Sequence, residues 1–423
     1  MTSHRSALTV AALAGAAALM LSGCSTATGG GAQDANVLTF ASGSEETTQK
    51  LIDGFEAANP GVSVQAEFIE SDASYIQQLR TRLSGGTAPD VFKVWAGGGG
   101  TMATWKVASD GLVAELDDQP WAADVPDNVR YVSSLDDKLY ALPSNLGAIG
   151  ALYNDQALAS VGATIPQTWT QVLDLCKTAA ANGKVAYALG NKDAWTTQLI
   201  PYALTATLVY GPNPGFSEEQ SAGTATFADS KWSDALDKTK QMMDAGCFNA
   251  GPNGTSYDAQ MTLLGQGDAL GAVQVSQAIS AAEQYAADGA TFSMAPLPAT
   301  DEAGAQYYPT GVGVSFAINA KAKNPELAQK FLAYVASPAG QKLWAEVSGS
   351  MPALPSDERE LSPVLEAVET ARAAGLTTQY YPDQVWPSTA VQDGLLVDMQ
   401  RFYNGEISGA TVLENMDKAY KAS

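Results

Sequence analysis

Short apolar runs alternate with amphipathic segments along most of the chain, the pattern of strands followed by helices. Val37-Leu38-Thr39-Phe40-Ala41 is a strand-sized run, and Ser42-Gly43-Ser44-Glu45 behind it fits the Ser-x-x-Glu capping box that opens a helix. Leu51, Ile52 and Phe55 form one face of that helix, and Asn59-Pro60-Gly61 ends it after about Ala58. Val62 to Phe68 reads as a second strand, Tyr75 to Leu83 as a helix, and Asp90 to Trp95 as a third strand. The order is βαβαβ, which predicts an α/β fold with a parallel sheet.

Gly97 to Gly100 lie at the carboxyl end of the third strand, where open α/β sheets place their ligands. No Lys-Ser or Lys-Thr follows, so a phosphate loop is not supported. Residues without side chains there allow a backbone to approach a ligand closely. A second block starts after Ala141-Leu142-Pro143 with the strand-like run Gly147 to Tyr153. Helix, strand and helix signals continue to about Val209, and Leu263 to Val273 gives a helix end, a turn and a strand. Gly311 to Ile318 reads as a further strand and Pro325 to Val335 as an amphipathic helix.

The first residues follow another logic. His4 and Arg5 precede an apolar run from Ser6 to Leu21, too short to span a bilayer, and Leu21-Ser22-Gly23-Cys24 follows at once. Those four residues resemble the bacterial lipobox, whose cysteine is acylated and becomes the new N-terminus. The resemblance implies a lipoprotein signal peptide over 1–23, an acyl anchor on Cys24 and a flexible tether over 24–36.

His4 is the single histidine of the 423 residues, so maturation at Cys24 leaves none. That excludes Ser-His-Asp and Cys-His nucleophiles, imidazole bases and His-ligated zinc. With 23 Lys and Arg against 45 Asp and Glu, the net charge of -22 leaves no cationic surplus to neutralise phosphates, so no nucleic-acid partner is expected. Besides Cys24, only Cys176 and Cys247 remain. Export to an oxidising compartment would let them pair as a structural disulfide; the other reading is two separate buried thiols.

Several segments together resemble the extracellular solute-binding proteins of ATP-binding-cassette importers, the group that includes maltose-binding protein. They are Phe55-Glu56-Ala57-Ala58-Asn59-Pro60-Gly61-Val62, Pro89-Asp90-Val91, Asp110-Gly111-Leu112-Val113 and Leu139-Tyr140-Ala141-Leu142-Pro143. Leu152-Tyr153-Asn154, Ile165-Pro166-Gln167-Thr168-Trp169, Gly311-Val312-Gly313 and Asn324-Pro325-Glu326-Leu327-Ala328 complete the set, in the family's order. The resemblance implies a two-lobed periplasmic-binding-protein-like fold with a hinge and a ligand cleft between the lobes. The N-terminal lobe would comprise 37–143 and 309–347, and the C-terminal lobe 147–300 and 352–423. Hinge crossings are expected near Pro143 to Gly147, Thr300 to Pro309 and Ser348 to Pro352.

Such a receptor captures a small-molecule ligand and presents it to a membrane permease. It works as a monomer, without catalysis or cofactor, anchored to the outer face of the cytoplasmic membrane. A carbohydrate site needs aromatic platforms for C–H faces and fixed polar groups for hydroxyls. Trp95, Trp195 and Trp386 sit among polar or chain-breaking residues and are the candidate platforms, whereas Trp169, Trp232 and Trp344 lie in helical patterns suited to packing. Gly97 and Gly98, Gly311 and Tyr381 complete the cleft wall. Asn145, Asp193, Lys192, Gln274 and Gln277 are candidate polar contacts. Ser44 and Glu45 stand at a helix start whose amides would face an oxygen-rich ligand, though local capping explains them equally well.

Trp95 falls where the maltose group places a stacking tryptophan. Gly147 replaces its hydroxyl-binding glutamate, and Gln277 or Ser276 replaces another tryptophan, which argues against maltose itself. Other ligands considered are ferric ion, suggested by Tyr307-Tyr308 and Tyr380-Tyr381, a peptide, and a polyamine held by Asp193, Asp383 and Glu45. A glycoside hydrolase working with two carboxylates is the remaining enzymatic reading.

Overall fold

The computed structural model describes residues 35–43, 45–302, 306–358 and 360–423. Cys24 and Ser44 therefore lie outside the described residues. From Asp34 onward the chain forms one compact unit. Among the described residues, no helix is long and apolar enough to cross a membrane.

Two sheets organise this unit. The first has the strand order Ser63–Phe68, Val37–Ser42, Val91–Val94, Ser315–Ile318 and Leu142–Pro143. Its first three strands are parallel, as the βαβαβ reading requires, and Ser315–Ile318 runs antiparallel beside Val91–Val94. The second sheet is built around the ten-residue strand Asn145–Asn154, which pairs with Ala269–Val275 and Phe292–Ala295. Thr310–Val312 and Met351–Pro352 pair with the opening residues of the same strand.

Alternate residues of each sheet enter opposite cores, because helices cover both faces. In the first sheet Leu38, Phe40, Phe316 and Ile318 join one cluster, while Ala41, Phe92, Val94 and Ala317 join the other. In the second, Ile149, Ala151 and Tyr153 pack on one side and Ala148 and Leu152 on the other.

Asp90 explains why Pro89-Asp90-Val91 and Asn324-Pro325 belong together. Its buried carboxylate accepts from Thr39 N at 3.0 Å and Thr39 Oγ1 at 2.6 Å, and from Lys323 N at 2.6 Å and Asn324 N at 3.1 Å. One side chain thus joins two parallel strands to the start of the helix Pro325–Ala336, and charge-assisted bonds compensate its desolvation.

Two expectations change. The helix after the first strand begins at Glu45, so Ser42 is a strand residue whose Oγ accepts from Thr48 Oγ1 at 3.4 Å, and the Ser42-to-Glu45 box does not form. The single strand expected over Gly311 to Ile318 is two strands in two sheets, broken at Gly313-Val314. The chain also passes between sheets at Ser144 and between Val347 and Met351. Two of these crossings are tied to each other. Ser144 N and Oγ donate to Val314 O at 3.0 and 2.7 Å, Val314 N donates to Asn145 Oδ1 at 2.8 Å, and Gly313 N donates to Asn145 O at 3.0 Å.

Cys176, on the helix Trp169–Ala181, is disulfide-bonded to Cys247. Both are fully buried, and the bond closes 71 residues of chain. Constraining that loop in the unfolded state should stabilise the fold by about 2–4 kcal/mol. We expect the Cys176→Ala/Cys247→Ala variant to melt several degrees lower, and reductant to have the same effect on the parent protein in calorimetry. Equal melting of the two proteins under oxidising conditions would remove this contribution.

Candidate functional site

The parallel strands of the first sheet end at Ser42 and Val94, and the loops that follow them face loops of the second sheet across a cavity of 660 Å³. That volume suits a small molecule of several rings. Ser42, Gly43, Thr47, Trp95 and Met102 line it from the first sheet's side. Trp195, Tyr202, Tyr257, Gln277, Tyr381 and Asp383 line it from the other, and Asn145, Val312, Gly313 and Val314, at the crossings, form the floor between them.

Aromatic rings form its walls. Trp95 is half-buried, edge-on to Tyr75 at 5.9 Å, with Lys93 Nζ 4.3 Å from its ring. Lys93 is ion-paired with Asp72 at 2.8 Å, so its charge is already met and it holds the indole in place. Trp195 is half-buried and 5.4 Å from Tyr257. Trp344, which its helical spacing assigns to the core, is buried against Phe316 at 5.6 Å but also reaches the cavity. Periodicity missed it because one face of that helix meets both core and cavity.

The polar groups are partly satisfied. Gln277 Oε1 accepts from Ser276 Oγ at 3.2 Å, and Asn145 Oδ1 is occupied by Val314 N. Tyr381 Oη, Tyr202 Oη and Trp344 Nε1 are buried atoms without a hydrogen-bond partner in the structure, on three residues that line the cavity. Tyr202 nonetheless lies close enough to Asp383 for each to act on the other's titration. Desolvation pushes the Asp383 carboxyl up from an ordinary 3.8 to about 6, and Tyr202 and Gln392 oppose that rise only in part.

The remaining sequence candidates lie outside this cavity. Trp386 is fully buried in the second sheet's core, its ring 5.5 Å from Phe227 and 6.1 Å from Tyr202; the breaker residues around it mark a tight turn, not an exposed loop. Gly97 and Gly98 meet chain instead of ligand. Gly98 N donates to Gln384 O at 3.1 Å, and a Cβ on Gly97, whose φ is 72°, would lie 1.7 Å from that same oxygen. The glycine loop therefore lets two backbones touch where the two sides of the molecule meet. Gly147 and Gly311 are not among the lining residues: a Cβ at Gly147 would meet the Gln277 amide and the Tyr381 hydroxyl, so a side chain there requires both to move. Asp193 Oδ2 accepts from Tyr257 N at 2.8 Å and thereby orients a cavity residue. Glu45 is exposed beside the cavity, Lys192 is exposed, and Gln274 is buried in a hydrogen bond to Gln260 at 2.9 Å. Of the paired tyrosines only Tyr381 lines the cavity; Tyr308 is buried and donates to Met294 O at 3.1 Å.

Over residues 41–342 the sequence matches the family of bacterial extracellular solute-binding proteins. The chain belongs to that family. It is 21% identical over 312 residues to a multiple sugar-binding protein of Streptococcus mutans, which covers 72% of this chain and 71% of the relative. Among solved structures it is similar to a chitin oligosaccharide binding protein, at 21% identity and a TM-score of 0.76, covering 91% of this chain and 98% of the other. It is likewise similar to a sugar transporter protein of Bacillus licheniformis in complex with stachyose, at 20% identity and a TM-score of 0.72, covering 91% and 99%. These likenesses give the two-lobed architecture of periplasmic binding proteins.

Asp383 also generates a pH dependence. Its folded-state pKa is raised, so the folded protein holds the proton more tightly; the stabilisation this brings is complete below about pH 4 and lost as pH rises through about 6. We expect Asp383→Asn to flatten the decline in urea stability between pH 4 and 7. Parallel pH profiles for the two proteins would contradict that cause.

Proposed function

We propose that this protein captures a carbohydrate, a disaccharide or oligosaccharide, and delivers it to the permease of an ATP-binding-cassette importer. The observation that carries the reading is the cavity itself: tryptophans and tyrosines from both sheets face one volume of 660 Å³, with fixed amide and hydroxyl groups between them. Rings supply flat faces for sugar C–H groups, and the amides and hydroxyls meet the sugar's own. The multiple sugar-binding relative and the stachyose complex support the same ligand class. No catalysis is assigned; the mature chain works by binding and closing.

The lobes would be 37–143 with 315–347, and 145–312 with 351–423. Sheet membership supports moving the second crossing from Thr300 to Pro309 down to Gly313-Val314. Ligand that binds the closed arrangement better than the open one shifts the population toward it, and the permease reads that state. Removal of 1–23 and acylation of Cys24 would tether the receptor to the outer face of the cytoplasmic membrane through 24–36.

A thermal-shift screen of residues 25–423 against mono- and oligosaccharides, with ferric iron, peptides and polyamines beside them, tests the ligand class. A saccharide at 100 times its Kd adds about 2.7 kcal/mol of stability, a visible shift. A response to a non-sugar alone would overturn the carbohydrate reading. Within the site, we expect Trp95→Ala and Trp195→Ala to weaken sugar binding at least ~10-fold, about 1.4 kcal/mol, at nearly unchanged melting temperature. Trp386→Ala should instead cost about 3–5 kcal/mol of folding stability. Calorimetric titration and melting of the three variants separate the roles, and a normal affinity in either of the first two removes that platform.

A further inference from the structure

The cavity has an electrostatic asymmetry that the walls do not explain. Its charged lining residues are Lys50, Lys93, Asp72, Asp383 and Asp393. Lys93 is consumed by Asp72, which leaves the first sheet's side nearly neutral apart from the exposed Lys50. On the opposite side Asp383 and Asp393 both line the cavity, and among the described residues no lysine or arginine acts on either. Burial raises both carboxyls, as expected of acids with no cation opposite. Beside Asp383, the Tyr202 and Tyr381 hydroxyls are buried without a partner. A carboxylate removed from water is normally paired; Tyr202 and Gln392 compensate Asp383 only in part, and the residue lines a cavity that a ligand can enter.

We propose that Asp383 selects a saccharide carrying a protonated amine, which it pairs with while Tyr202 and Tyr381 bond the neighbouring ring oxygens and hydroxyls. The proposal rests on the carbohydrate reading and narrows it. A hydroxyl, or the N–H of an N-acetyl group, in the same place would donate to the carboxylate but carries no positive charge to neutralise it. Asp393, more exposed, adds to the negative potential at the entrance without closing the pair.

The test uses the full-length protein in detergent and saccharides that differ only in one substituent. Tetramers of β-1,4-linked glucosamine, N-acetylglucosamine and glucose form one series; galactosamine, N-acetylgalactosamine and galactose form a second. Isothermal titration at pH 6.5 should show an amine-bearing member binding at least ~10-fold tighter than its acetylated and hydroxyl counterparts, and Asp383→Asn should erase that preference while keeping residual affinity for the neutral members. Melting without ligand checks that the variant folds; if it does not, Asp383→Glu, which keeps the charge and moves it, should reduce the preference. Neutral members binding as tightly as amines, a preference that survives Asp383→Asn, or no binding by any amine-bearing member would each overturn the proposal. In the first two cases the carbohydrate reading stands; if no saccharide of any kind binds here or in the thermal-shift screen, that reading falls as well.

Discussion

The hydrogen bonds that tie Ser144 and Asn145 to Gly313 and Val314 are the constraint on which the rest of the molecule depends. Two chain segments pass between the sheets side by side, one leaving the first sheet at Ser144 and the other returning to it at Gly313-Val314, and at the point of passage neither sheet can supply their ladder partners. They satisfy each other instead, with one Asn side chain and one Ser hydroxyl completing the set. The result is a narrow pair of bonded crossings, with the third passage between Val347 and Met351 completing the connection of the two sheets. It fixes where the sheets are joined, and the cavity opens directly above it because Asn145 and Gly313 form its floor.

Around that connection, side chains divide into those that fill the cores and those that are left facing the cavity. Trp386 and Trp232 fill; Trp95 and Trp195 face outward into the cavity. Lys93 shows how a cavity ring is fixed in place: it is buried, paired with Asp72 and laid against Trp95, so the platform's orientation is set before any ligand arrives. The three unpartnered buried atoms on Tyr202, Tyr381 and Trp344 are then costs of folding that a hydrogen-bonding ligand would offset.

Much of this was legible from the residues. Val37–Ser42, Ser63–Phe68 and Val91–Val94 follow from apolar runs between turn signals, and the family motifs follow from groups such as Asp90 that hold distant segments together. What local pattern could not give was three-dimensional partnership. Gly311 to Ile318 looks like one strand because its hydrophobicity is continuous, yet its halves bond to different sheets. Trp386 looks exposed among Pro, Asp and Gln, yet the turn folds its ring inward. The glycines at 97 and 98 signal a close approach correctly, but their partner is the backbone at Gln384, 286 positions beyond Gly98.

The central claim is that a sugar is held between the two sheets and contacted from both. Hydrogen–deuterium exchange with and without the saccharide that stabilises the protein most tests it directly. The account predicts added protection in 42–48 and 93–102 together with 195–202 and 381–396, and in the crossings at 144–145 and 312–314. Protection confined to segments of a single sheet, or none at the crossings, would contradict it.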